Sequence, residues 1–437
     1  MGIASVTRVD AEITENQYLG DGMVVLSKQL AVNGDRLMQS IDRLAKIGRQ
    51  PNGDICRLAF SPEDLQARYL VQQWMIEAGM TVRTDAAGNL IGRYEGTDPN
   101  APALATGSHI DTVPSGGPFD GALGVLGGIE VVRTLKENGL RLRHPIEVIV
   151  FTDEESSMIG GQAIAGTVLL DQPERYLPKI DQPIESCLEK IGGDWSQLPS
   201  ARRTRADIAA FVELHVEQGC VLERKGQAIG VVQGVVGMQR HLITIHGQPN
   251  HAGTTPMDMR QDALIAAAKV ILSVQAIALE QPSQPVATVG YLTVAPNAMN
   301  IVPGTVELSV DMRDLSQVVL EQMLEKLKQS LREIAIATHT RIDIAPVLTV
   351  EPTLASLNVQ AAIEAVSQDL NLSYLYMPSR AGHDAMEMGR FTDMGMIFVP
   401  SQEGLSHSGM EYTSPEQCTQ GADVLLHTLI KLDPIYA

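Results

Sequence analysis

The feature that most constrains this chain is a set of apolar, strand-like runs, each ending on a histidine or a carboxylate. ALATGSH ends at His109, EVIVFTDEE runs out at Glu154 and Glu155, FVELHVEQG carries His215, and MIFVPSQEGLSHSG leads to His407. Between the first two runs, the glycine-rich segment Gly121 to Leu135 enters a helical pattern. Alternating strand and helix patterns predict an α/β fold with a largely parallel sheet. Loops leaving the carboxyl ends of parallel strands meet at one sheet edge, so the four polar ends can converge.

The length of 437 residues exceeds the roughly 100 to 200 of one ordinary domain, so two domains, or one large α/β unit carrying an insertion, are expected. The chain holds 33 Lys+Arg against 52 Asp+Glu, a net charge of −19, which argues against a nucleic-acid partner. With 44% hydrophobic and 19% charged residues and no block of like charge, neither a disordered chain nor a polybasic membrane binder fits. The apolar stretch Ala263 to Leu279 is interrupted by Lys269, Ser273 and Gln275. It falls short of the ~20 apolar residues of a membrane span and reads as a buried helix. The N-terminal MGIASVTRVDAEITENQ lacks a basic and apolar leader pattern, and Val6 breaks a myristoylation pattern, so neither export nor anchoring is expected. Cys56, Cys187, Cys220 and Cys418 are widely spaced, which suits unpaired thiols in a cytoplasmic protein.

Helical periodicity runs from about Met23 to Ile47, and SPED at Ser61 to Asp64 reads as the cap of a second helix through Ala78. TVRTD and NLIGRYEG read as strands. The run Ala228 to Gly237, rich in glycine and β-branched residues, reads as a hinge into a second unit. That unit has the order strand (241–246), helix (261–279), strands (287–293 and 305–313), helix (315–337), strand (341–350). The order is the βαββαβ of a ferredoxin-like unit. From Pro352 the chain returns to the first domain and ends in a helix from Pro415 to Leu432.

Imidazole and carboxylate at strand ends suit a metal site, since zinc takes nitrogen and oxygen ligands. The HxD spacing would let Asp111 fix the tautomer of His109, although a lone pair of this kind is as readily a surface hydrogen bond. Adjacent Glu154 and Glu155 are costly at a strand end without a cation or a raised pKa, although a solvated turn would also accept them. Asp120, in the glycine-rich loop after His109, completes a set of His, Asp, Glu, His and His.

These segments resemble the hydantoinase/carbamoylase-type two-metal amidohydrolases, which include N-carbamoyl-L-amino-acid hydrolases, allantoate amidohydrolases and β-ureidopropionases. The resemblance lies in RLAFSPED, DAAGNLIGR, GSHIDTVPSGGPFDGALGV, DEES, ELHVEQG, HAGTTPM, NIVPGTVELSVDMRD, AGHDA and LSHSGME, and spans nearly the whole chain. It implies a zinc-exopeptidase-like catalytic domain of residues 1–232 and 349–437, with an inserted ferredoxin-like lid and dimerisation domain of residues 233–348. It implies two divalent ions per chain: His109, His215 and a bridging Asp120 on one, and Asp120, Glu155 and His407 on the other. Such ligands accept Zn²⁺ or Mn²⁺, and also Co²⁺ or Ni²⁺. Glu154 is then the general base, with Asp111, His383 and Asp384 supporting the ligands from behind. Substrate contacts are implied for Gln218, His251, Asn300, Arg313 and Gly382, with His251 stabilising the oxyanion and some contacts arriving across a homodimer interface. Without the resemblance, Arg313 is as readily a solvated charge and Asn300 a turn residue. His246 reads as structural, and His144, His241, His339 and His427 as ordinary histidines.

Two departures bear on the substrate. Glu154-Glu155-Ser156-Ser157-Met158 stands where relatives commonly carry a glycine and an arginine, and Arg380 in SRAGHDA stands where a small residue is usual. The extra cation would suit a second acidic group. The expected activity is hydrolysis of the linear C–N bond of an N-carbamoyl-L-amino acid or related ureido acid. Allantoate hydrolysis, an aminoacylase or dipeptidase activity, and a non-catalytic metal-binding role are the alternatives.

Overall fold

The computed structural model describes residues 30–437. The N-terminal leader reading, and the part of the first helical pattern before Leu30, lie outside the described residues. The first described helix is Gly34–Leu44, and it begins where the Asn33 side chain accepts the Arg36 N–H, a helix cap. Pro62–Glu77 follows, capped by Ser61.

Sixteen strands follow in the described chain: β1 (Thr81–Thr84), β2 (Leu90–Tyr94), β3 (Ala103–His109), β4 (Ile146–Phe151), β5 (Ile208–Val216), β6 (Ile229–Val235), β7 (Gly237–His246), β8 (Asn250–His251), β9 (Val286–Thr288), β10 (Leu292–Ala295), β11 (Ile301–Val302), β12 (Thr305–Asp314), β13 (Arg341–Val350), β14 (Thr353–Leu354), β15 (Tyr374–Ser379) and β16 (Asp393–Val399). The larger sheet has the order β1-β2-β4-β3-β5-β16-β6-β14, with β15 also on β6. Its centre, β4-β3-β5-β16, is parallel throughout, and antiparallel pairs flank it at β2 and β6.

Both faces of that centre are covered, so its strands are buried along nearly their whole length and mostly apolar. Val148 and Val150 of β4 join the core beneath the helices Ala122–Glu137 and Pro415–Leu432. Ile149 and Phe151 join the opposite core with Phe211, Phe398 and Met388. Alternate residues of a strand point to opposite faces, which is why one hydrophobic run feeds two cores. Its polar residues collect at the carboxyl ends, where covering stops.

The smaller sheet is antiparallel, in the order β10-β12-β7-β13, with β9 also on β12. Helices Ala263–Leu279 and Gln317–Thr338 pack against it through Ile243, Val306, Leu308 and Leu320. The strand expected over 287–293 is two short strands, β9 and β10, each paired with β12. The expected hinge at 228–237 is mostly β6, a buried strand of the larger sheet. Its glycines serve packing: at Gly234, with φ +153°, a Cβ would stand 2.6 Å from the Thr353 carbonyl oxygen. The chain passes between the sheets at Val236 and again at Glu351–Pro352. No described helix is long and apolar enough to cross a membrane.

Candidate metal centre

The carboxyl ends of β3, β4, β5 and β16 bring the polar residues into one cavity of about 240 Å³. It is lined by His109, Asp120, Glu154, Glu155, Ser156, Met158, His215, Gln218, Ala381, Gly382, His383 and His407. Asp120 is its centre. Its Oδ1 lies 3.2 Å from His215 Nε2 and 3.8 Å from His109 Nε2, and its Oδ2 lies 3.3 Å from His407 Nε2. Glu155 Oε2 is 3.8 Å from the same His407 nitrogen.

The tautomers suit ligation. His109 Nδ1 donates to the Asp111 carbonyl oxygen at 3.0 Å, and His215 Nδ1 donates to the Val216 carbonyl at 2.8 Å. Nε2 is therefore the nitrogen that each ring turns towards Asp120. Asp111 orients His109 through its main chain, while its carboxylate stands 3.6 Å away and accepts the Glu155 N–H at 3.2 Å. The HxD spacing points to the right residue and the wrong atom.

Two groupings, His109–Asp120–His215 and Asp120–Glu155–His407, have ligand atoms within 4.8 Å of one another. Ligands each ~2.1 Å from a tetrahedral ion lie roughly 3.4 Å apart, so both groupings fit divalent ions. A third grouping, Glu213–His215–His383, fits poorly because Glu213 is already engaged by the Ser108 hydroxyl at 2.7 Å and the Ala385 N–H at 2.9 Å.

Electrostatics separate the carboxylates. Burial works to raise Asp120, but His215, His407 and His109 hold it well below its ordinary range. Burial pushes Glu154 well above the usual carboxylate range, and the charges of Asp384, Glu155, Asp111 and Asp120 push the same way. Burial also raises Glu155, against the pull of His109. His383 is held neutral by burial and by the neighbouring His215. It stacks edge-on to His215 at 4.5 Å between ring centroids, and its Nε2 meets the Ser379 hydroxyl at 2.8 Å. Asp384 is fully buried, and its two carboxylate oxygens have no hydrogen-bond partner.

Several backbone details hold the loops. Gly121 has φ +65°, and a Cβ there would stand 2.5 Å from the His109 ring. Gly121→Ala is expected to displace His109 and weaken metal affinity at least ~10-fold, measured by competitive titration with a chromophoric chelator; unchanged affinity would show that the loop yields freely. His407 and Gln218 sit in the left-handed region at φ 52° and 58°, a cost of ~1 kcal/mol or more each that surrounding structure must offset. Gln218 Nε2 donates to Asp120 Oδ2 at 2.8 Å, so the side chain expected to meet substrate points at Asp120.

Glu411 and Arg57 were not assigned by sequence reasoning. The Glu411 carboxylate accepts the N–H groups of Phe119 and Asp120 at 2.8 and 3.1 Å, and the Ser406 hydroxyl bridges it to Asp120. Burial raises Glu411 to about 7. The buried Arg57 donates to the carbonyls of Ile110, Leu44 and Ile47 and anchors the loop after β3. Both lie in segments that carried the resemblance, LSHSGME and RLAFSPED, but a charge beside an apolar run gives no sign of facing inward.

Arg313 lies at the end of β12 and lines a second cavity, which adjoins the first along Met158, Ala381 and Gly382. His251 and Asn300 are not brought to the centre: both are exposed on the smaller unit, where β8 pairs with β11.

Residues 105–431 match the family described as peptidase family M20/M25/M40. The chain belongs to that family. Its relatives include the N-carbamoyl-L-amino acid amidohydrolase of Geobacillus stearothermophilus, 41% identical over 92% of this chain and 99% of that protein. The allantoate amidohydrolase of Bacillus subtilis is 34% identical over 93% of this chain and 100% of its own length. Among solved structures, a hydantoinase/carbamoylase family amidase from Burkholderia multivorans superposes with a TM-score of 0.87 at 36% identity, over 92% of this chain and 98% of that one. The hydantoinase/carbamoylase resemblance of the sequence is therefore that of a true relative.

Proposed function

We propose that the chain is a metal-dependent hydrolase of the linear carbamoyl C–N bond of an N-carbamoyl-L-amino acid or related ureido acid. The observation that carries this reading is Glu154. It is partly buried beside the ligand groupings, 3.5 Å from His109 Nε2, belongs to neither grouping, and has its pKa raised by its surroundings. The relatives' names support the choice of a carbamoyl bond.

His109, His215 and Asp120 would hold one divalent ion, and Asp120, Glu155 and His407 a second. Ions held there supply Lewis-acid polarisation of the scissile carbonyl and a more acidic water. Glu154 accepts the proton of the attacking water and delivers it to the leaving nitrogen, a role that suits a carboxylate lifted towards neutral pH. Gln218 holds Asp120 in place and offers its unpartnered carbonyl oxygen to the ureido amide. Gly382 leaves room on the cavity wall.

Arg313 is the carboxylate clamp. Asp311 holds its Nε at 2.9 Å, which pre-orients the planar fork. Arg313→Ala is expected to raise KM about 30-fold for ureido acids while changing kcat little, because one charge-assisted pair is lost; equal losses on an uncharged amide would point to misfolding instead.

We read 233–348 as a ferredoxin-like lid that also forms a homodimer. The exposed His251 and Asn300 then serve a second copy's site. Four free thiols fit a reducing, cytoplasmic setting.

The testing experiment is ammonia release by the chain loaded separately with Zn²⁺ and Mn²⁺. The panel is N-carbamoyl-L- and D-amino acids, N-carbamoyl-β-alanine, allantoate, ureidoglycolate and N-acetyl amino acids, the last scored by free amine. Turnover confined to the N-acetyl compounds would replace this reading with an aminoacylase.

A further inference from the structure

The second cavity, about 640 Å³, lies between the two sheets and adjoins the metal cavity along Met158, Ala381 and Gly382. Four arginines line it, Arg175, Arg313, Arg380 and Arg390, against two acids, Glu351 and Glu387. On a chain of net charge −19 this is a local excess of positive charge.

The four cations are not equivalent. Arg390 is paired with Glu387 at 2.8 Å, and Arg313 with Asp311. Arg380 donates only to the main-chain oxygen of Gln284, at 3.2 Å, and Arg175 only to Gln172 Oε1, at 3.4 Å. Neither has an acidic partner within 4 Å among the described residues. Arg313 Nη1 donates to the Arg380 carbonyl at 2.9 Å, so the unpaired guanidinium of Arg380 starts from a point adjoining the proposed clamp.

We propose that Arg380 reads a second carboxylate, so that the preferred substrates are N-carbamoyl derivatives of acidic L-amino acids. This rests on the ureido-acid reading above. Arg313 takes the carboxylate nearest the carbamoyl group, and the side-chain carboxylate extends into the larger cavity to Arg380, with Arg175 adding positive charge to the same lining. The planar guanidinium offers two parallel donors to a carboxylate. A neutral amide of the same shape accepts from one donor through its carbonyl oxygen but turns an NH₂ towards the other, leaves that donor unpaired and carries no charge.

The test compares kcat/KM for N-carbamoyl-L-glutamate with its neutral isostere N-carbamoyl-L-glutamine, and adds N-carbamoyl-L-aspartate for reach. It uses the metal-loaded full chain and its Arg380→Ala and Arg380→Lys variants. The natural chain is expected to favour glutamate over glutamine by roughly 10- to 100-fold, the scale of one charge-assisted pair. Arg380→Ala should collapse that ratio towards one, and Arg380→Lys should restore part of it. Calorimetric binding of N-carbamoyl-L-glutamate to the metal-loaded Glu154→Gln chain should weaken in parallel when Arg380→Ala is added. Equal use of glutamate and glutamine by the natural chain overturns the proposal and leaves the ureido-acid reading standing. So does an Arg380→Ala variant that slows both substrates without changing their ratio, which would make Arg380 a latch to the smaller unit through Gln284. Failure of every ureido acid in the panel removes both readings.

Discussion

Glu154→Gln is expected to lower kcat about 10³-fold while leaving metal content unchanged, the scale of a lost general base. Gln keeps the shape and one carbonyl oxygen of Glu, so the cavity wall at β4 is undisturbed, but an amide cannot accept the proton of water at neutral pH. The ligand groupings built on His109, Asp120, His215, Glu155 and His407 do not include Glu154, so occupancy should survive the change. The decisive pair of measurements is ammonia release beside elemental analysis of the same sample. A variant that keeps both its metals and its turnover would remove Glu154 from the mechanism. A variant that loses its metals would make it a ligand.

Stripping divalent ions with a chelator is expected to abolish turnover and to lower thermal stability. Asp111, Asp120, Glu154, Glu155 and Asp384 are gathered in one buried region, and Asp384 and Asp111 Oδ1 have no hydrogen-bond partner. Buried carboxylates repel and resist ionisation without compensating charge. Ions that bind the folded chain stabilise it by mass action, roughly 2.7 kcal/mol per site at a free concentration ~100 times Kd. Scanning calorimetry should therefore show a Tm several degrees lower for the stripped chain, recovered with activity on adding back Zn²⁺ or Mn²⁺. Full turnover by a chain proven free of metal would sink the proposal, and an unchanged Tm would show that the carboxylates are balanced by protons instead.

The site was legible in the chain to an unusual depth for a physical reason. A ligand on a parallel strand announces itself twice, by its own chemistry and by the apolar run that carries it. The runs that lead to His109, His215 and His407 mark them as candidate ligands in this way, whereas Asp120, and Glu155 rather than Glu154, are singled out only by the family resemblance. Residues that act from off the strands had no such marker. Glu411 reaches Asp120 by two backbone N–H groups, and Arg57 holds the next loop by three carbonyls. Neither contact leaves a spacing or period to read. Asp111 shows the same limit within a motif, because the sequence names a residue and cannot say whether its carboxylate or its carbonyl does the work.

The second unit was partly misread where local signals conflicted with packing. The run from Ala228 looked like a hinge because it is rich in glycine, yet β6 is a buried strand whose glycines make room for Thr353 and Phe398. The same ambiguity applies to any glycine, since freedom and close approach share one residue type.

The sequence by itself determined the alternation of strands and helices, the identity of the candidate ligands and the family, because hydrophobic period and ligand chemistry are local properties of the chain. Only the tertiary structure decided which nitrogen of each histidine faces Asp120, that Glu154 stands outside both ligand groupings, and that His251 and Asn300 lie away from the centre. It alone decided that Arg380 shares a cavity with Arg313. Those are relations between atoms up to hundreds of residues apart, set by how two sheets fold against their helices and against each other.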